Sequence, residues 1–179
     1  GAVAHTFTEV LDPALNTDSC VTDTAVTAKA TWTGLTHLEG KTVDILADGI
    51  VMPPQVVVSG AVTLPRVANA VEIGLHYTTT ITDLPPEIPS TTGTAQGAAI
   101  SVNRCIVRLH ESLGCSINGE IVPFRKFGAG VLDTPIAPFS GDKEVRMIGW
   151  EQKGVVTIEQ VQPLPLTVLA TIKEITVNG

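Results

Sequence analysis

The sequence predicts an all-β protein, an antiparallel sandwich or barrel or two small β subdomains, with very little helix. Roughly a third of its residues are Val, Ile or Thr, whose β-branched side chains favour strands. Sixteen glycines and twelve prolines punctuate the chain, as turns require. No segment of helical length has apolar residues spaced three and four positions apart, and 66–70 is the best candidate for a single helical turn.

The first β half is predicted to span residues 25–83, after an N-terminal arm of residues 1–24. The arm is rich in Thr and Asp, with one short strand expected near 3–11. Within the half, three segments alternate apolar and polar residues as half-buried strands do. Their inward-facing residues are predicted to be Ala28, Ala30 and Trp32; Val43, Ile45 and Ala47; and Val71, Ile73, Leu75 and Tyr77. Glu72, Gly74, His76 and Thr78 are then predicted to point outward.

Turn residues predict how these strands connect. Gly34 and Gly40 flank a tight corner, where Gly40 permits a backbone conformation that a Cβ would oppose. Asp48-Gly49 indicates a two-residue hairpin, with Val56 and Val58 in the return strand. Pro53-Pro54 places the start of that strand at a sheet edge, because proline donates no ladder hydrogen bond.

The second β half, residues 98–179, is expected to pack on the first. Residues 84–97 are rich in Pro, Gly and Thr, and we expect a linker or long loop there. The predicted elements of the second half are a strand over 98–112, a tight turn at Asn118-Gly119 into Ile121-Val122, an extended loop over 123–141, a hairpin of 144–150 with 155–160 around residues 152–154, and a last strand over 166–177.

Composition and charge argue against two classes of function, nucleic acid binding and membrane insertion. Eleven Lys and Arg against eighteen Asp and Glu give a net charge of -7, so we expect no sequence-specific nucleic acid binding. Prolines and charges interrupt the apolar stretches, so we expect no membrane insertion. Cys20, Cys105 and Cys115 show no CxxC spacing and are interpreted as reduced thiols. A disulfide between Cys105 and Cys115 is the alternative.

No motif predicts a catalytic, cofactor-binding or metal site. The histidines, none of which lies in an HxH or HExxH motif, are His5, His37, His76 and His110. We interpret His37 as a turn histidine bonded to backbone. Carboxylates from which a glycoside-cleaving pair could be drawn are Glu111, Glu120, Asp133 and Asp142. Any acidic protein offers such pairs, so we expect no enzyme and no cofactor.

Three stretches are distinctive when taken together. The first comprises 32–43 and 47–49, the second 60–64 and 74–78, and the third 154–160 and 162–170. Asp18 lies in the acidic stretch before the first. In this order and spacing they resemble the C-terminal part of tail nozzle proteins of short-tailed bacteriophages, the tail tubular protein B-like family. The similarity covers nearly the whole chain from residue 7 onward.

The resemblance implies a virion structural protein without catalytic residues in this region. Family members form a ring-shaped nozzle, typically sixfold, that conducts DNA during ejection and contacts adaptor, fibre or receptor-binding proteins. It therefore implies a hexamer in the virion tail, assembled in the host bacterial cytoplasm. Family proteins are usually several times longer, so a monomeric fragment is the other expectation for this chain. The alternative function is a module that recognises host glycan or anchors a receptor-binding protein.

Overall fold

The structure, a computed structural model, describes residues 12–87, 89–90, 93–94, 99–125, 134–146 and 154–178. Within these residues the strands pair antiparallel and the only helical element is one 3-10 turn, so the predicted all-β class is confirmed. The chain divides into two compact units, Gly1–Tyr77 and Thr78–Gly179. Each unit has its own buried apolar cluster.

One antiparallel sheet, in the order β1-β4-β2-β3, forms the first unit. Its elements are β1 (Asp18–Thr33), the 3-10 turn (Thr36–Leu38), β2 (Thr42–Ala47), β3 (Ile50–Val56) and β4 (Ala61–Leu75). The pairing of β1 with β4 changes register between Thr24 and Lys29. A straight strand of 16 residues would be about 50 Å long. His37, beyond the end of β1, nevertheless contacts the Ser19 carbonyl near its start, so the strand bends back on itself.

The inward face of β2 is confirmed, whereas on β1 the prediction holds for Trp32 only, because Ala28 and Ala30 are no more than half-buried. Trp32 is 1% exposed, and Val43, Ile45 and Ala47 are fully buried. On β4 the prediction is wrong at one inward position, because Tyr77 lies beyond the end of the strand and is 47% exposed. Glu72 and Gly74 point away from the core as predicted, and yet both are buried.

The Asp48-Gly49 hairpin is confirmed, since both residues adopt a positive φ between β2 and β3. The return strand begins at Ile50 and holds Pro53-Pro54 within a strand at the edge of the sheet, whose partner among the described strands is β2. Val57 is buried, whereas Val56 and Val58 are exposed.

Two further predictions for the first unit are wrong. The helical turn at 66–70 lies within β4, because these residues pair with β1. Residues 18–24 belong to β1 rather than to an arm, since they pair with the end of β4. The strand expected near 3–11 lies outside the described residues.

A two-layer sandwich forms the second unit. Its strands are β5 (Thr79–Thr82), β6 (Pro89–Ser90), β7 (Gly93–Thr94), β8 (Ala99–Ser112), β9 (Cys115–Ile117), β10 (Glu120–Val122), β11 (Phe139–Arg146), β12 (Thr157–Gln160) and β13 (Val168–Asn178). The sheets β10-β9-β12-β5 and β11-β8-β13 contribute side chains to one shared core. Val107 and Leu109 come from β8, and Ile117 and Ile158 from β9 and β12.

In the second unit, the predictions of single strands and turns are confirmed, whereas the prediction of which strands pair is wrong. Strand β8 and the Asn118-Gly119 turn between β9 and β10 are confirmed, as is a last strand, here β13. The predicted hairpin of 144–150 with 155–160 is wrong. Strand β11 pairs with β8, while β12 pairs with β5 and β9, so the two strands belong to different sheets.

The boundaries of the expected linker and loop also differ. Because β5 pairs with β12, residues 79–82 belong to the second unit and not to the first half. The expected linker contains the short pairing of β6 with β7. The expected loop over 123–141 ends earlier, since β11 begins at Phe139. Residues 126–133 of that loop, and 88, 91–92 and 95–98, lie outside the described residues.

Candidate functional site

A corner between β1 and β2 joins the first and second distinctive stretches. The Glu39 carboxylate accepts hydrogen bonds from two consecutive backbone amides, Ser59 N to Oε1 at 2.8 Å and Gly60 N to Oε2 at 2.6 Å. Leu35 N donates to the Gly60 carbonyl at 3.0 Å. Hydrogen bonds to a charged acceptor are short and strong, so the start of β4 is held against the 3-10 turn.

Backbone pairing and buried leucines complete this corner. Gly40 N donates to the Val57 carbonyl, and Val57 N donates to the Lys41 carbonyl, both at 3.0 Å. Gly40 has a φ of 72°, in the left-handed region that a side chain disfavours. Leu35 and Leu38 are buried beneath the turn. The tight corner predicted around Gly40 is therefore confirmed.

Two histidines lie near one end of the first sheet and both have partners. His37 Nε2 lies 3.0 Å from the Ser19 carbonyl, which confirms the predicted backbone contact. His76 Nδ1 lies 2.6 Å from Asp44 Oδ2 on the neighbouring strand β2. The imidazole of His76 is about half exposed. These contacts fix the two side chains, and His5 lies outside the described residues.

Glu72 and Gly74 are buried because the chain before β1 lies over them. Glu72 Oε1 accepts hydrogen bonds from Asn16 N at 2.6 Å and from Thr17 Oγ1 at 3.0 Å. Burial is the main cause that raises the pKa of the nearby Cys20 thiol, and the negative charge of Glu72 raises it further. Alternation along β4 predicts the orientation of Glu72 but contains no indication of this cover.

In the second unit, Lys173 connects the two sheets of the sandwich. Its Nζ lies 3.0 Å from Asp83 Oδ2 and donates to the Gly154 carbonyl at 3.0 Å and to the Leu84 carbonyl at 3.4 Å. Asp83 follows β5 of one sheet, and Lys173 lies on β13 of the other. Asp83 Oδ1 also accepts a hydrogen bond from Val156 N at 2.8 Å.

This pair of Lys173 and Asp83, here called the clamp, was not predicted from the sequence. The sequence signal that could have predicted the pair is a lysine at an inward position of the last strand. Its neighbours Ile172 and Glu174 are more exposed. A charged residue at such a position needs a buried partner. Burial raises the pKa of Cys105, the Asp83 charge raises it further, and the Lys173 charge lowers it.

The candidate carboxylates that the structure describes, Glu111, Glu120 and Asp142, share no site. Asp142 on β11 accepts two hydrogen bonds from Arg108 on β8, at 2.8 and 3.0 Å. These bonds lower the pKa of the Asp142 carboxyl, because they favour its charged form. Glu120 is exposed on β10, and Asp133 lies outside the described residues. Asp142 is thus engaged in a cross-strand ion pair on the surface.

Glu111, the remaining candidate, lies beside a serine and a histidine. Ser140 Oγ is 3.4 Å from His110 Nδ1, and His110 Nε2 is 4.0 Å from Glu111 Oε2. Both distances exceed the 2.6–3.2 Å typical of a nucleophile and its base. Ser140 Oγ instead accepts a hydrogen bond from Glu111 N at 2.9 Å. All three residues are exposed, so this arrangement is best described as a support for the pairing of β8 with β11.

The cysteines are separate thiols. Cys105 and Cys115 are buried and free, and Cys20 is partly exposed and also free. Burial raises the pKa of Cys115 to about 11. A buried thiol with a raised pKa is a weak nucleophile at neutral pH, which agrees with the interpretation as reduced, packed side chains.

Among the described residues, no three His, Cys, Asp or Glu side chains are grouped closely enough to hold a metal ion. Over the same ranges, no helix has both the length and the apolar character needed to cross a membrane. Comparison with models of known protein families finds no match, and comparison with curated proteins finds none either.

Proposed function

We propose that this chain is a virion structural protein, a β-rich part of a phage tail nozzle that supports the DNA ejection conduit and docks other tail proteins. The main support is spatial. Residues of the first two stretches that resemble the family, 32–43 and 60–64, hydrogen-bond to each other through Glu39, Leu35 and Gly60. The resemblance therefore involves residues that act together in one corner.

The third stretch has a comparable supporting role in the second unit. Gln160 Nε2 donates to the backbone carbonyls of Leu113 and Gly114, which connect β8 with β9. Leu113 N donates to the Pro165 carbonyl at 2.8 Å. Side chains that hold the backbone in place suit a protein that must resist deformation. The function of such a protein depends on its contacts with neighbouring proteins.

Charge is compatible with a DNA conduit. A chain with a net charge of -7 offers no excess of cations to retain phosphates. Arg104 pairs with Glu174 at 3.1 Å and with Glu144 at 3.5 Å, and Arg108 pairs with Asp142. These cations are thus matched by carboxylates on the surface of the β11-β8-β13 sheet.

The proposal is tested on purified phage particles whose genome encodes this chain. We expect its peptides in the virion by mass spectrometry, with cross-links to the adaptor and to a second copy of the chain. Glu39→Met, which removes the acceptor of two corner amides, should reduce incorporation. Arg108→Ala, which removes only an exposed ion pair, serves as the matched control.

A soluble monomer that never joins tails would contradict this function. Binding to a glycan array by such a monomer would favour the alternative, a glycan-recognising module. Cross-links to a receptor-binding protein alone, without a second copy, would favour the anchoring form of that alternative.

A further inference from the structure

We propose that residues 12–17 form a detachable strap whose attachment depends on the carboxylate of Glu72. The strap precedes β1 and lies on the side of β4 that faces away from the core of the first unit. Thr17 is 7% exposed and Glu72 is 8% exposed, so the two residues cover each other. The inference does not rest on the proposed phage function.

The hydrogen bonds that the strap donates to β4, among the described residues, end on one side chain, and a separate one joins Thr17 to the Cys20 thiol on β1. Asn16 N and Thr17 Oγ1 donate to Glu72 Oε1, at 2.6 and 3.0 Å, and Asn16 Nδ2 donates to Oε2 at 3.4 Å. The backbone pairing of β1 with β4 starts only at Asp18, opposite Leu75. Loss of this one acceptor therefore leaves the strap without a polar attachment to the strand.

A glycine provides the space in which the strap lies. A Cβ at Gly74 would be 2.5 Å from Thr17 Oγ1 and 2.6 Å from the Asp18 carbonyl oxygen. Such distances are shorter than any van der Waals contact. Glu72 and Gly74 are two residues apart on the same face of β4, whereas the core uses Val71 and Ile73. The outer face of β4 is thus shaped for the strap independently of the core.

Detachment has a chemical consequence at Cys20. Its thiol is partly exposed, and its pKa is raised by burial and by the Glu72 charge, while the hydrogen bond from Thr17 lowers it. Release of the strap removes the Thr17 side chain from its contact with this thiol. The strap therefore controls access to Cys20 and to the Glu72 carboxylate, and Cys20 reports its position.

The test measures alkylation of Cys20 by iodoacetamide and hydrogen exchange of residues 12–20 in the full chain. Glu72→Met leaves Asn16 N and Thr17 Oγ1 without their acceptor. We expect Cys20 to react faster by on the order of tenfold, with loss of amide protection in the strap. Cys105 and Cys115 should stay unreactive. Asp23→Ala, which removes an exposed carboxylate paired with Lys29 on the same strand, should leave the Cys20 rate unchanged.

A second variant separates the effect of displacing the strap from the effect of removing the negative charge of Glu72. Gly74→Ala keeps Glu72 and displaces the strap by steric overlap, so it should also accelerate Cys20 alkylation. Trp32 emission in a Trp150→Phe background monitors the core of the first unit. Wild-type Cys20 rates in both variants would overturn the proposal. It would equally be overturned if faster alkylation occurred only together with a change in Trp32 emission, because the strap would then be a fixed part of the unit.

Discussion

Replacing Lys173 with Met should destabilise the second unit because it removes the cation that connects the two sheets. The side chains of Lys173 and Asp83 are 13% and 18% exposed, so the Asp83 carboxylate would remain largely buried without its counter-charge. Breaking a fully buried pair costs roughly 3–5 kcal/mol, and the residual exposure reduces our expectation to about 2–3 kcal/mol. For a unit of about 100 residues this lowers the melting temperature by about 10 °C or more.

Urea unfolding monitored by circular dichroism measures this loss, and a cycle with Asp83→Asn separates the pair from its surroundings. In the Lys173→Met, Asp83→Asn double variant the uncompensated charge is gone, so the cost should be less than the sum of the two single costs. Strict additivity would refute the clamp. So would a Lys173→Met cost no greater than that of the exposed-pair variant Arg108→Ala.

The pKa of Cys105 gives an independent check with opposite signs. The Asp83 charge raises this pKa and the Lys173 charge lowers it. Lys173→Met should therefore raise the Cys105 pKa further, while Asp83→Asn should lower it, although both substitutions destabilise the unit. Thiolate absorbance in a Cys20→Ser, Cys115→Ala background measures both shifts. Shifts of equal sign would show that unfolding, rather than local charge, causes them.

Three other substitutions test the remaining contacts. Glu39→Met should destabilise the first unit by about 1–2 kcal/mol, because one exposed and one half-buried backbone amide lose a charged acceptor. Trp32 emission during urea unfolding measures this cost, and a cost equal to that of Asp23→Ala would contradict the role of Glu39 in the corner. Arg108→Ala should raise the Asp142 pKa toward the ordinary value of 3.8, measured by carboxyl NMR. Because the folded pKa of Asp142 is depressed, its contribution to stability is present above 3.8 and disappears as the pH falls through the folded value. For Cys115 the folded pKa is raised, so stability is lost as the pH rises from 9.0 to about 11; Cys115→Ala should flatten that slope in urea unfolding.

Local patterns predicted the strands and tight turns of this chain well. Asp48-Gly49 and Asn118-Gly119 specify hairpins through backbone conformations that few residues accept. The alternation of Val43, Ile45 and Ala47 predicts which side of β2 is buried, because successive side chains in a strand point to opposite faces. These features depend only on neighbouring residues, so a single sequence is enough to identify them.

Pairing between distant strands could not be predicted in the same way. Strands β11 and β12 are close in sequence, and their spacing favoured a hairpin, yet β8 is the partner of β11. Nothing local distinguishes the two choices, since the decision depends on which side chains fill the shared core of the sandwich. Lys173 illustrates the same difficulty, because its inward position is visible in the strand pattern but its partner Asp83 lies 90 residues earlier.

Three polar side chains in this molecule, the buried Glu72 and Gln160 and the exposed Glu39, share one physical role. Glu39, Glu72 and Gln160 each bond to backbone groups of a distant segment, and the first two do so as charged acceptors. A group engaged in this way gains stability from its contacts and has little freedom to transfer a proton or bind a substrate. Removing one of these side chains leaves a backbone group without its hydrogen-bond partner, and this lowers the free energy of unfolding. We therefore expect substitutions at these three positions to act on stability and on contacts with neighbours, with Glu72 distinguished by its control of the strap.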